Sequence, residues 1–184
     1  MMEFIEYIKS DLFRLRGEVD LTGFVKSYLR NSTFRWQVAF RMVRERVLPV
    51  RLIGRVLWFL RPAKDRIQIP RDTEVGYGLY IGHGGPVVVN PTAVIGDNCN
   101  LSQFVTIGSN SGKAATIGND VYIGPSACVV EDVSIGSGST IGAGSVVTKD
   151  IPAGATAAGN YARVLNCNYP GRFIKNRWIQ KAAH

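Results

Sequence analysis

Histidine, cysteine and long apolar runs are scarce in this chain. Of its 184 residues, two are histidine and three are cysteine. An odd number of cysteines without disulfide spacing excludes a disulfide framework and favours a reduced, cytoplasmic protein. No apolar run approaches the ~20 residues of a membrane-spanning helix, and the N-terminus carries acidic residues too early for a secretory signal. We expect one main domain with an appendage.

The first third of the chain carries the basic charge. Residues 1–67 contain 14 Lys and Arg against 7 Asp and Glu, whereas residues 68–184 contain 8 against 7. Helical periodicity and capping signals predict a helical section here. Its first helix ends near Gly17, the second covers Leu21–Arg30, the third starts at a Ser32 or Thr33 cap and ends before Pro49, and the fourth covers Val50–Arg61.

Basic residues are mixed with aromatic and apolar residues in the last two of these helices. The residues are Arg41, Arg44, Arg51, Arg55 and Arg61, mixed with Trp58, Phe59 and Leu60. Such a face would suit an anionic membrane surface at the inner side of the cell membrane. The alternative is a solvated basic face whose apolar side packs on the rest of the chain or on a neighbouring subunit. No binding motif accompanies the charge, so we do not expect nucleic-acid binding.

An aliphatic residue followed by glycine returns every six positions between Ile69 and Val147. A period of six fits neither a helix nor a simple strand, so the repeat itself must be the structural unit. In a hexapeptide β-helix the aliphatic residue points into a three-sided prism, and the fifth residue of each hexad must be small. Three hexads make a coil, which predicts about four coils stacked at ~4.8 Å. The aliphatic residues of these pairs are Val75, Ile81, Ile95, Ile107, Ile117, Ile123, Ile135 and Ile141.

The period is broken at two places. The step from Ile81 to Val89 takes eight residues, and the step from Ile107 to Ile117 takes ten. The first insertion contains His83, followed by two glycines and a proline, and the second predicts a corner loop over Ser109–Lys113. Insertions in a solenoid collect on its binding face, so both mark a candidate site.

The repeat resembles the left-handed parallel β-helix of the hexapeptide acyltransferases. The Ile81–Val89 segment resembles the catalytic-histidine segment of serine acetyltransferases and of the O-acetyltransferases of capsule and exopolysaccharide (colanic-acid-type) biosynthesis, which we take as the closer group. The implied fold is mainly β, with an N-terminal helical section (1–67), a left-handed parallel β-helix (68–165) and a C-terminal tail (166–184). The γ-class carbonic anhydrases share the fold but need three histidines around zinc, so no metal is expected.

The resemblance implies that His83 is the general base of an acetyl transfer. An alcohol is a poor nucleophile unless its proton is removed as the new bond forms, and imidazole titrates near neutral pH. His83 would deprotonate an acceptor hydroxyl, which attacks the thioester of acetyl-CoA. A purely structural histidine is the alternative. Acceptor contacts are expected from Gln68, Gln103, Gly84 and Gly85.

The same resemblance places CoA in a groove between neighbouring subunits of a homotrimer. Small residues along the coils would let the pantetheine arm approach the backbone, although they also suit a repeat with no ligand. Basic side chains could hold the CoA phosphates. The expected contacts are Gly108, Ser109, Pro125 and Ala143 for the arm, and Lys113, Lys149 and Arg163 for the phosphates.

Departures from the serine enzymes suggest a different acceptor. Gln68 stands where that family has the Asp that orients the histidine, and Gly82 replaces another Asp. The loop at Lys113–Ala115 lacks the family's second histidine. An amide can hold an imidazole ring but supplies no charge to an imidazolium. We therefore predict O-acetylation of a sugar or surface-polysaccharide precursor; the alternatives are serine O-acetylation in cysteine biosynthesis and a non-catalytic trimeric scaffold.

Overall fold

The computed structural model describes residues 3–60 and 66–180. The N-terminal part forms the helices α1 (Glu3–Arg16), α2 (Leu21–Arg30), α3 (Ser32–Val43) and α4 (Leu48–Leu60). Gly17 follows α1 with a φ of +81°, the left-handed conformation that commonly ends a helix. Within residues 3–60 and 66–180, no helix is long and apolar enough to cross a membrane.

Three helix boundaries differ from the prediction: the start of α3, its end, which lies at Val43 rather than just before Pro49, and the start of α4. The side chain of Asn31 caps α3 by accepting a hydrogen bond from the Phe34 N–H at 3.0 Å, whereas Ser32 already lies inside the helix. Helix α4 begins at Leu48, so Pro49 lies in its first turn. Proline is tolerated there because a first-turn N–H has no partner within the helix. The predicted end at Arg61 lies outside the described residues.

From residue 67 onward the chain forms short strands. They are β1 (Ile67–Gln68), β2 (Glu74–Val75), β3 (Tyr80–Ile81), β4 (Val87–Val89), β5 (Val94–Ile95), β6 (Asn100–Leu101), β7 (Val105–Gly108), β8 (Thr116–Ile117), β9 (Tyr122–Ile123), β10 (Cys128–Val130), β11 (Ser134–Ile135), β12 (Thr140–Ile141), β13 (Val146–Val147), β14 (Thr156–Ala158) and β15 (Arg163–Asn166).

These strands form the three faces of a parallel β-helix, which confirms the predicted fold class. Face A is β1-β4-β7-β10-β13, face B is β2-β5-β8-β11, and face C is β3-β6-β9-β12-β14 followed by the antiparallel β15. Face A has five strands, so residues 66–180 contain five coils, one more than predicted. The first coil begins at Ile67, before the first aliphatic–glycine pair. In the last coil, Ala157 takes the place of the aliphatic residue.

Stacked aliphatic side chains fill the prism. Val89, Ile107, Val129 and Val147 pair in register on face A and are at most 3% exposed. Burying one such side chain contributes about 1.5–3 kcal/mol to folding. The small residues predicted for the fifth position of each hexad also point inward: Thr73, Cys99, Ala127, Ser139 and Ser145 are all 0% exposed.

The helices close the N-terminal end of the prism. Trp36 and Phe40 of α3 stack with their ring centroids 4.9 Å apart and belong to the buried cluster that contains Ile67 and Ile69. Because strand backbones at the end of a solenoid would otherwise be exposed, such a cap is needed for stability. A Cβ placed on Gly84 would come within 3.6 Å of the Thr33 hydroxyl. The first turn of α3 therefore lies beside the turn that carries His83.

Two arginines assigned to the basic face are bound to the first coil instead. Arg41 pairs with Asp11 through hydrogen bonds of 2.9 and 3.0 Å, and it donates to the carbonyls of Val75 and Gly76 at 2.9 and 2.8 Å. Arg44 donates to the Thr73 carbonyl. Carbonyls at the end of a prism need donors, and long guanidinium side chains supply them. Arg41 and Arg44 therefore do not contribute to the predicted basic face.

The C-terminal segment covers face C. Phe173 contacts Tyr122 with a centroid separation of 4.9 Å, and Asn98 exchanges two hydrogen bonds with the backbone of Trp178, at 2.8 and 3.1 Å. Outward positions of face A carry no such cover within the described chain. A ligand or another subunit can therefore approach the strands of face A, and the outward Glu74, Thr116 and Ser134 of face B are exposed as well.

Candidate active site

His83 lies in the turn between β3 and β4, with its side chain exposed. Its φ is +62°, and Gly84 follows with +73°. A left-handed conformation costs a non-glycine residue on the order of 1 kcal/mol or more, and residues held in it are common at functional sites. Among residues 3–60 and 66–180, none hydrogen-bonds to the imidazole ring. The turn thus presents an exposed ring that is free to contact a ligand or another subunit.

The predicted site residues at the corner between faces C and A occupy successive coils. The register pairs Ile81 with Leu101, Leu101 with Ile123, and Ile123 with Ile141. The chain also continues in register around the corner, since the Gly144 N–H donates to the Pro125 carbonyl at 2.8 Å. Two positions after each paired residue stand His83, Gln103, Pro125 and Ala143, which together we name the histidine edge.

Gln103 is the one member of this edge with an unsatisfied buried atom. Its Oε1 is buried and accepts no hydrogen bond from the described residues. An unpaired buried acceptor costs about 1–3 kcal/mol. A donor from a bound molecule or a neighbouring subunit would remove that cost; the acceptor-binding role of Gln103 stays a prediction.

A groove of about 310 Å³ runs along face A. Its walls are mostly backbone and small or apolar side chains, including the predicted Gly108 and Ser109. A Cβ on Gly108 would meet only the Thr106 methyl, at 3.9 Å, so the missing side chain leaves the backbone open to a ligand. The lining residues are Val88, Val89, Asn90, Thr106, Ile107, Gly108, Ser109, Asn110, Cys128, Val129, Val130 and Glu131.

The far side of this groove is a second edge, formed by the 109–113 loop with Glu131 and Lys149. We name it the loop edge. The loop leaves the strands, as the break in the repeat predicted. Because Gly108 pairs with Val130 and Val129 with Val147, Ser109, Glu131 and Lys149 stand at the same corner in successive coils.

Glu131 holds the loop and was not identified from the sequence. Its carboxylate accepts hydrogen bonds from the Ser109 hydroxyl at 2.7 Å and from the Asn110 and Ser111 N–H groups at 3.1 Å each. The Ser111 hydroxyl is also bonded to it. These hydrogen bonds, above all those from Ser111 and Ser109, lower the pKa of Glu131 to about 2. The only sequence signal for this role was an acidic residue at a corner where the strands end.

Other predicted residues are placed differently. Gln68 is exposed on the first strand of face A and makes no hydrogen bond to His83 within the described residues. Lys113 forms an ion pair with Asp132 at 3.0 Å, which partly neutralises the lysine charge. Arg163 begins β15 and is exposed. His184, the other histidine, lies outside the described residues.

The comparisons with known proteins agree with this geometry. A family model described as "Bacterial transferase hexapeptide (six repeats)" matches residues 114–149. A serine acetyltransferase of Helicobacter pylori is 38% identical over 117 residues, which are 61% of this chain and 68% of that protein. The chain belongs to the serine acetyltransferase family. It spans about half the length of two other curated members of the family, 53% and 43% of them.

Two solved structures of the family are similar in fold. Soybean serine acetyltransferase in complex with serine superposes with a TM-score of 0.70 at 32% identity, covering 88% of this chain and 69% of that chain. The Brucella abortus serine acetyltransferase in complex with coenzyme A gives a TM-score of 0.71 at 25% identity, covering 89% and 68%.

Membership of this family overturns the predicted sugar acceptor. The relatives at 38% identity are serine acetyltransferases, and none of these comparisons supports a closer link to the polysaccharide enzymes. The prediction relied on side chains that the chain lacks at Gln68, Gly82 and Lys113–Ala115. A missing side chain shows only which group is not used, and it does not identify the acceptor that the remaining site binds.

Proposed function

We propose that the protein is an O-acetyltransferase that moves the acetyl group of acetyl-CoA to the hydroxyl of L-serine. The observation that carries the proposal is the exposed His83, whose ring has no hydrogen-bond partner among the described residues, in the left-handed turn that leads into β4 of face A. The family supplies the substrate pair, because relatives are named serine acetyltransferases and solved members hold serine or coenzyme A.

In the proposed reaction His83 takes the proton of the serine hydroxyl as its oxygen attacks the thioester carbonyl. A new ester C–O bond forms, the C–S bond breaks, and the proton passes to the departing CoA sulfur. A base with a pKa near the working pH typically accelerates such a step by about 10²–10⁴-fold. The half-buried Gln103 and the glycines after His83 remain the proposed acceptor contacts.

For the donor we propose the face A groove. The pantetheine arm would lie against Gly108 and Ser109, and it would reach Pro125 and Ala143 of the histidine edge. Lys149 is the better phosphate partner of the two lysines, because Lys113 is already paired with Asp132. Lys149 is exposed at the loop edge and has no ion-pair partner among the described residues. Arg163 remains a candidate for the same role.

We infer that the protein works as a homotrimer. A single subunit leaves the His83 ring and Gln103 Oε1 without partners, and it leaves face A open. A neighbouring prism packed beside face A would turn the open groove into an enclosed one. Static light scattering at micromolar concentration tests this, and a monomeric mass would contradict it.

A cytoplasmic location and a membrane contact remain predictions. With Arg41 and Arg44 bound to the first coil, the contact would depend on α4. This helix has no acidic residue, carries Arg51 and Arg55, and exposes Leu52, Val56 and Phe59.

Acceptor-dependent release of CoA tests the proposed function. With acetyl-CoA in excess, L-serine should accelerate CoA release well above the rate with L-alanine, which has the same backbone but no hydroxyl. O-acetylserine should accumulate in step with free CoA. Equal rates with serine and alanine would show that serine is not the acceptor. Failure to bind acetyl-CoA at all would instead favour a non-catalytic scaffold.

A further inference from the structure

Glu131 joins two parts of the chain that are about 20 residues apart. Four donors on the loop side, two backbone N–H groups and two serine hydroxyls, converge on its carboxylate. The loop has no regular secondary structure of its own. Because hydrogen bonds to an ionised acceptor are about twice as strong as neutral ones, this carboxylate is the main contact that determines the shape of the loop.

The backbone at Glu131 also argues for a role of its side chain. Its φ is +63°, the left-handed region in which glycine is the unstrained residue. A serine has a similar conformation at a different corner, at Ser126, with a φ of +59°. A long acidic side chain at such a position is an unfavourable choice for the local backbone. The hydrogen bonds to the loop offset that cost.

The groove shows what the fixed loop would do. Ser109, Asn110 and Glu131 all line the face A cavity, together with Gly108 and Cys128. If the loop were free, the wall at this end of the groove would have no defined shape. A ligand lying along face A would then have to order the loop on binding and lose affinity accordingly.

We propose that Glu131 is a positioning residue for the acyl donor: its carboxylate fixes the 109–113 loop as one wall of the acetyl-CoA groove. The inference rests on the proposed function, since it needs the groove to be the donor site. Glu131 acts through Ser109, Asn110 and Ser111, and it takes no part in the proton transfer assigned to His83.

The test compares Glu131→Gln and Glu131→Ala with the wild-type chain in steady-state kinetics. Glutamine keeps one acceptor oxygen and alanine keeps none, so the KM for acetyl-CoA should rise in that order, by roughly tenfold for alanine. The turnover number and the KM for L-serine should change little. Amide hydrogen exchange at Asn110 and Ser111 should become faster in both variants.

Asp97→Asn is the matched control. Asp97 also accepts a backbone hydrogen bond, from the Tyr77 N–H at 2.7 Å, but at a corner between faces B and C. Its removal should leave the KM for acetyl-CoA unchanged. Melting temperature and oligomeric mass are measured on the same preparations, so that a general loss of structure is recognised.

The outcomes separate the two proposals. A selective rise in the acetyl-CoA KM with faster exchange in the loop supports the positioning role. An active wild-type enzyme whose Glu131 variants keep the acetyl-CoA KM within twofold overturns that role and leaves the proposed function intact. A similar loss of turnover in both Glu131 variants, without a change in the KM for acetyl-CoA, also overturns the positioning role. A wild-type protein that does not bind acetyl-CoA overturns both.

Discussion

Replacing Asp11 with alanine removes one half of an ion pair that joins α1, α3 and the first coil. The side chains of Arg41 and Asp11 are 2% and 0% exposed. Asp11 also accepts the Leu79 N–H at 2.9 Å, and Arg41 reaches two carbonyls of the prism. In Asp11→Ala the guanidinium would remain buried beside a cavity, without its counter-ion.

The expected loss is large for a single substitution. Breaking a buried pair by removing one partner costs about 3–5 kcal/mol, because the remaining charge is buried and uncompensated. For a chain of this size each kcal/mol lowers the melting temperature by about 2–4 °C, which gives a decrease of roughly 6–20 °C. Thermal and denaturant unfolding at fixed protein concentration measure it.

Glu6→Ala is the control on the same helix. Glu6 pairs with Lys9 at 2.8 Å, but both side chains are partly exposed, at 30% and 40%. Such pairs contribute about 0–1 kcal/mol. If Asp11→Ala destabilised the protein no more than Glu6→Ala, the reasoning that this buried pair fastens the helical cap would be refuted.

Three further predictions concern the site. His83→Ala should lower the turnover number about 10²–10⁴-fold with little change in the dissociation constant for acetyl-CoA measured by calorimetry, because the groove holds the donor. Burial raises the pKa of Cys99 to about 12, so its thiol should resist iodoacetamide at pH 8. The exposed Cys167 should react. Acetyl-CoA should slow the reaction of Cys128, which lines the groove. Hydrogen bonds hold the pKa of Glu131 at about 2, below its ordinary 4.5. The stability difference between wild type and Glu131→Gln should therefore be constant above about pH 5. It should shrink as the pH falls from 4.5 to about 2.

Each of these has a result that would contradict it. Near-normal turnover of His83→Ala would make the histidine structural. Rapid alkylation of Cys99 in the folded protein would mean that the prism opens, and equal labelling of Cys128 with and without acetyl-CoA would remove the donor from face A. A stability difference that grew as the pH fell would mean that Glu131 has a raised pKa in the folded state, opposite in sign to the expectation.

Local and periodic features of this protein could be read from its sequence. The six-residue spacing determined a β-helix, because each hexad repeats the same inward aliphatic residue and corner whatever lies next to it. The boundaries of α2 followed from short-range periodicity and capping, since these depend on neighbouring residues. The two breaks in the repeat correctly marked the His83 turn and the 109–113 loop as irregular corners.

Contacts between distant residues were decided only by the tertiary structure. The partner of Arg41 is Asp11, 30 residues away, and nothing in a charge pattern distinguishes such a buried arginine from a solvated one. Glu131 lies about 20 residues from the loop it holds, so the stacking of coils, which places residue 131 beside residue 109, had to be known first. The fifth coil was likewise missed, because Ala155 and Ala157 fill two of its inward positions, and the burial of such small residues depends on the coil beneath them.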